Sequence, residues 1–168
     1  KELLDAADRG VRVRLLLDDL GVGAANDDVF VLLDAHPNFS VSLFNPIASR
    51  DARTAGLIAD PKRLNRRMHN KSMTADNTVT VVGGRNIGDE YFALHELFNF
   101  ADMDVLAIGP VANQVTASFD AFWNSPAAFP ISAFHPEPAS PARVAEAQER
   151  LDAQVAKTGT PYYEAMRA

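Results

Sequence analysis

Met68-His69-Asn70-Lys71-Ser72-Met73-Thr74-Ala75-Asp76-Asn77-Thr78-Val79-Thr80-Val81-Val82-Gly83-Gly84-Arg85-Asn86 is the stretch from which the remainder of the chain can be read. Residues 68–74 and 78–82 are rich in strand-forming side chains, and the Asp76-Asn77 pair between them suits a tight turn, so the spacing predicts a β-hairpin. Side chains alternate between the faces of a strand, which sets His69 and Lys71 on one face and Met68, Asn70 and Ser72 on the other. A hairpin symmetric about Asp76-Asn77 pairs Gly84 with His69 and puts Asn86 just beyond. The segment Gly83-Gly84-Arg85-Asn86 then returns to the spot from which His69 and Lys71 project.

Working outward, residues 2–9 have helical spacing and Gly10 is placed to end them. Residues 11–17 form an apolar run bounded by Asp18-Asp19, as expected of a buried strand. Asn26 can cap a helix running to residue 35, Pro37 blocks its continuation, and residues 41–44 make a second short strand before Asn45-Pro46. Residues 47–67 lack periodicity and are expected to form a long loop; its Lys62, Arg63, Arg66 and Arg67 suit either a solvated surface or an anionic headgroup. Downstream, residues 105–108 read as a strand. Gly109-Pro110 then introduces a helix to residue 123, with Val111, Val115, Phe119 and Phe122 along one stripe. The Pro-rich residues 125–141 resemble a connector, followed by a polar helix over 142–157. This order of elements predicts an α/β fold, with one domain over 1–131 and a connector and tail over 132–168. The opening Lys1-Glu2-Leu3-Leu4 reads as the interior of a helix, so the chain is expected to be a piece of a longer protein.

The 168 residues, 47% hydrophobic and 23% charged, suffice for one globular domain with a sizeable core. With 16 basic against 22 acidic residues the net charge is −6. That is the wrong sign for holding long nucleic acid by counterion release, although a local patch can oppose a net charge. The absence of cysteine excludes disulfides and thiolate zinc sites. No apolar run approaches the roughly 18 residues of a membrane-spanning helix, and no signal-peptide pattern opens the chain, so any anchor is expected elsewhere. His36, His95 and His135 lack ligand spacing and are expected to be structural or solvent-exposed. Gly21-Val22-Gly23 imitates a dinucleotide fingerprint, but Asn26 stands where its third glycine belongs.

The hairpin residues suit the handling of a phosphodiester. A neutral imidazole can attack phosphorus or, protonated, give a proton to a leaving alkoxide. The Lys71 ammonium and the Asn86 amide can donate to non-bridging oxygens, each worth roughly 3 kcal/mol by analogy with oxyanion donors. Glycine opposite the nucleophile leaves room for phosphate to approach the backbone. Asp76, at the far end of the hairpin, is expected to shape the turn or hold a basic neighbour.

With Gly83-Gly84-Arg85-Asn86-Ile87-Gly88-Asp89-Glu90-Tyr91-Phe92 at its offset from His69-x-Lys71 and Asp76, the sequence resembles the phospholipase D superfamily motif, in the form seen in bacterial cardiolipin synthases. Phe44-Asn45-Pro46, residues 63–67, Asp102-Met103-Asp104-Val105 and Gly109-Pro110 extend the resemblance over residues 11–131. It implies a phospholipase D-like mixed β-sheet sandwiched between helices. It also implies a two-step reaction in which two copies of the motif combine: one histidine forms a phosphohistidine while the other acts as acid and then as base. Carried onto this chain, His69 is one of that pair, with Lys71 and Asn86 on the phosphate. Gly83, Gly84 and Arg85 border the substrate, Asp76 completes the motif, and Asp102 orients a histidine, Asp104 being the alternative.

The resemblance implies no metal and no cofactor. It implies a phospholipid substrate, no nucleic acid, and a peripheral place at a membrane surface, the inner membrane of a bacterium. The one motif present leaves the second to come from further sequence or from a two-fold partner, and the chain alone is expected to be inactive. The alternatives are a phosphodiesterase acting on nucleic acid and a non-enzymatic half-domain.

Overall fold

Residues 2–22, 27–47, 65–86, 89–91, 100–135 and 140, together with 142, 145, 146, 149, 152 and 153, are described by a computed structural model. In chain order the elements are α1 (Glu2–Asp8), β1 (Val13–Asp18), α2 (Asp19–Val22), α3 (Asp27–Asp34), β2 (Phe39–Phe44), β3 (Ser72–Ala75), β4 (Val79–Gly83), β5 (Asp104–Ile108), α4 (Pro110–Trp123) and β6 (Ala128–Pro130). Short 3-10 turns cover Asp89–Tyr91 and Ile131–Ala133. This is the expected mixed α/β class. The described strands fall into two three-stranded sheets, β1-β2-β6 and β3-β4-β5. The chain divides into two compact units, residues 1–68 with 122–157, and residues 69–121 with 158–168.

In the first unit α1 stops where Gly10 adopts a φ of 92°, open to glycine without strain. β1 and β2 are parallel, with Val13 opposite Phe39 and Asp18 opposite Phe44, and α2 and α3 form the crossover between them. β2 is the central strand, which explains why Val41, Ser42 and Leu43 are all buried in succession. Ala7, Val31, Phe39, Val41, Leu43 and Ile131 make the core, with Val13, Leu15, Leu17 and Phe30 packed against it. The helix start expected at Asn26 lies outside the described residues.

One expectation is corrected here. Residues 125–141 are not merely a connector, because β6 pairs antiparallel with β2, Leu43 opposite Phe129, and Ile131 is fully buried. Farther on, Ala142, Ala145, Glu146, Glu149, Asp152 and Ala153 are helical and exposed, as the polar pattern predicts.

The second unit holds the hairpin. Asp76 and Asn77 have φ of 51° and 52°, and the Thr78 N–H donates to Ala75 O at 3.0 Å, a turn of the kind whose twist suits a hairpin. Strand pairing resumes one residue later than symmetry predicts, at Ala75 opposite Val79, so Thr78 is an extra residue in the loop. The predicted pairing of Gly84 with His69 is therefore corrected. The strand expected over 68–74 begins only at Ser72: residues 68–71 lie ahead of it without regular structure, and the Gly83 N–H donates to Lys71 O at 3.3 Å. β5 runs antiparallel to β4, with Gly83 opposite Asp104. Thr80 is buried and its hydroxyl lies 2.8 Å from that of Thr74, while Thr116 on α4 donates to Asn77 Oδ1 at 2.8 Å. The row Met73, Val81 and Leu106, joined by Ile108, leaves one apolar face of this sheet exposed.

Of the stripe predicted on α4, Val115 and Phe119 are half-buried and Val111 is exposed. The final turn of α4 belongs to the first unit. There the Phe122 ring meets Phe44 edge-on at 5.5 Å, and Trp123 lies under the Arg14 guanidinium at 5.4 Å.

Candidate active site

The Lys71–Gly83 backbone bond puts residues 69–71 and 83–86 at the same end of the hairpin, as the sequence predicts despite the shifted register. His69 is exposed, and among the described residues nothing hydrogen-bonds to its ring. Lys71 is half-buried and its ammonium folds back to donate to the His69 carbonyl at 2.9 Å, which leaves two of its three donors for another acceptor. Asn86 is exposed and donates from Nδ2 to the Tyr91 hydroxyl at 2.8 Å, which leaves the second amide N–H and the amide oxygen available. Asp76 sits at the opposite end, in the turn, where its carbonyl accepts from the Thr78 hydroxyl at 2.9 Å.

Two acidic residues crowd the glycines. A Cβ on Gly84 would lie 2.7 Å from Asp102 Oδ2 and 2.9 Å from its Cγ, and a Cβ on Gly83 would lie 2.8 Å from Met103 O and 2.9 Å from the Asp104 Cα. The space left by these glycines admits the Asp102 and Asp104 side chains. Asp102 Oδ1 accepts from the Met103 N–H at 2.8 Å. Asp104 Oδ2 accepts from Arg85 Nε at 2.7 Å. Arg85 also donates from Nη1 to Tyr91 O and from Nη2 to Asp102 O, the latter at 3.2 Å. Tyr91, which in the sequence stands only within the matching run, meets Asn86 through its hydroxyl and Arg85 through its backbone carbonyl.

In the first unit, a second set of residues fixes the chain just before His69. The Asp18 carboxylate pairs with the Arg67 guanidinium, accepting from Nε at 2.9 Å, and accepts from the Met68 N–H at 2.9 Å. Asn45 has a φ of 48° and is buried. It donates from Nδ2 to Arg66 O at 2.9 Å, and its carbonyl accepts from Arg67 Nη1 at 3.3 Å. Asp19, fully buried, accepts from the Ile47 N–H at 2.8 Å. Arg67 is therefore held internally, whereas Arg66 is exposed; Lys62 and Arg63 lie outside the described residues. In the sequence Asp18-Asp19 marks only a strand boundary, because the partners of these residues lie tens of residues away.

His36 lies 3.2 Å from Asp8 and His135 lies 3.1 Å from Asp27, both structural pairs, and His95 is outside the described residues. Among the described residues no group of three or more His, Asp or Glu is placed to hold a metal ion, and no helix is long and apolar enough to cross a membrane.

The family model for the cardiolipin synthase, PLD-like domain, matches residues 1–123. Cardiolipin synthase C of Escherichia coli is 57% identical over 121 residues, which cover 72% of this chain and 25% of that protein. An uncharacterised protein of Helicobacter pylori is 44% identical over 134 residues, 79% of this chain and 26% of its own length. The major cardiolipin synthase ClsA of Bacillus subtilis is 31% identical over 123 residues, 73% of this chain and 24% of that protein. The chain thus spans about a quarter of the length of these curated relatives. On the strength of the residues matched and of the hairpin they form, the chain belongs to the family of cardiolipin synthase, PLD-like domains.

Proposed function

We propose that this chain supplies one half of a phosphatidyl-transfer site that makes cardiolipin by moving a phosphatidyl group onto the hydroxyl of a second lipid. The observation that carries this reading is an exposed His69 with Lys71 beside it, at the hairpin end to which Asn86 returns, in a chain whose named relatives are cardiolipin synthases.

The imidazole of one motif attacks phosphorus, the bond to the leaving alcohol breaks, and the imidazolium of the other motif gives that alcohol its proton. The second imidazole then takes a proton from the incoming hydroxyl, which attacks phosphorus and releases the first histidine. Either histidine of the pair can be the nucleophile. Lys71 and the free N–H of Asn86 stabilise the charge that grows on the non-bridging oxygens. Gly83 and Gly84 let the acidic residues approach the hairpin end, and Asp102 acts on a histidine of the assembled site. Asp76 keeps the turn.

The second motif comes from elsewhere in a longer polypeptide or from a two-fold partner, and the site works at a membrane surface on phospholipid. The net charge of −6 disfavours nucleic acid as the alternative substrate. The test is to give the purified full-length parent phosphatidylglycerol in mixed micelles. Formation of a diphosphatidyl lipid with release of glycerol is expected, and a folded parent that yields none contradicts the reading.

A further inference from the structure

The Arg85 guanidinium is the hub of the second unit's open end. Its three nitrogens reach Asp104 Oδ2, Tyr91 O and Asp102 O, so one planar fork ties the residue after Gly84 to the turn Asp89–Tyr91 and to the start of β5. The same turn supplies the Tyr91 hydroxyl that accepts from Asn86. Phe100 backs this arrangement, with its ring 5.2 Å from that of Tyr91 and its N–H donating to Glu90 O at 2.7 Å. Only glycine at 83 permits the close approach of Asp104, which completes the fork.

From this geometry we infer that Arg85, Asp104 and Tyr91 are positioning residues: Arg85 does not bind the phosphate, but with Asp104 it clamps the segment 83–86, and Tyr91 fixes the amide of Asn86 so that its remaining N–H faces the reacting phosphate. The inference rests on the phosphatidyl-transfer reading for its consequence, though not for the clamp itself. A guanidinium already engaged on three sides by a carboxylate and two carbonyls is a poor ligand for a transient anion. A carboxamide held at one N–H presents the other in a set direction without reorganisation.

The test uses the full-length parent and the variants Arg85→Gln, Arg85→Lys, Asp104→Asn and their Gln/Asn double. Two readouts are taken: hydrogen exchange of the peptide spanning residues 83–91, and kcat and KM on phosphatidylglycerol. Expected are faster exchange in each single variant and no further increase in the double, because both members serve one clamp. In turnover, kcat falls roughly tenfold with KM little changed, the scale of one charge-assisted hydrogen bond. Lysine at 85 does not restore kcat, since a point charge cannot make the fork, whereas a phosphate-binding arginine would tolerate lysine far better. Tyr91→Phe lowers kcat with exchange unchanged at residues 83–85.

Unchanged exchange in Arg85→Gln and Asp104→Asn overturns the clamp, as does a rise in KM confined to the Arg85 variants. A wild-type parent that is inactive contradicts the transfer reading instead, and exchange still decides the clamp. If Arg85→Gln fails to fold, Asp104→Asn and Arg85→Lys carry the same comparison.

Discussion

The contrast between the two glycines is the sharpest statement the site makes about single residues. At Gly83 a methyl group would press on the Met103 carbonyl and the Asp104 Cα, both backbone atoms, whereas at Gly84 the three nearest atoms all belong to the exposed side chain of Asp102. Gly83→Ala is therefore expected to lower stability by about 1–3 kcal/mol, the usual cost of overpacking, in a denaturant titration. Gly84→Ala is expected to leave the midpoint almost unmoved while lowering turnover, because Asp102 can swing aside but loses its place. Lys71 is expected to behave as an oxyanion donor: Lys71→Ala should reduce kcat of the full-length parent by roughly 10² to 10³ with the thermal midpoint preserved. The residue types at 69, 71 and 86 were legible from the sequence because their chemistry is local to the motif. The engagement of Arg85 was not, since its partners at 102 and 104 become neighbours only when β5 pairs with β4, and the Tyr91 carbonyl only when the chain turns at Asp89–Tyr91.

Elements followed the sequence where local rules dominate. Gly10 ended α1, Asp76-Asn77 made the turn, and apolar runs became β1, β2 and β5 within two residues of the expected bounds. Two features escaped for physical reasons. The extra loop residue Thr78 shifts the hairpin register by one, which no count of apolar positions reveals because Thr78 fits strand or turn equally. β6 is three residues long and ends in proline, so it looks like connector until its pairing with β2 buries Ile131. The pairing of Asp18 with Arg67 belongs to this scale as well, since it fastens residues 66–68 to the end of β1. With both side chains less than one-fifth exposed, Asp18→Asn removes the Asp18 charge from a guanidinium largely out of water. We expect a loss of roughly 2 kcal/mol in the unfolding free energy, the range of a hydrogen bond to a charged group. A change under a few tenths would mean the pair is an ordinary surface contact.

For the molecule as a whole, the chain spans about a quarter of the length of its curated relatives, and the proposed function has it offer a nucleophile-or-acid imidazole, two phosphate donors and the framework that holds them. The proposed two-step transfer uses a second imidazole, so on that reading this domain is one contributor to the assembly that carries the activity. The measurement that bears most directly on that role is phosphatidyl transfer by the full-length parent beside its His69→Ala variant, both checked for equal thermal midpoints. The wild type is expected to convert phosphatidylglycerol to a diphosphatidyl lipid and the variant to form none. Turnover in the variant at the wild-type rate would show that the imidazole at residue 69 takes no part in the reaction.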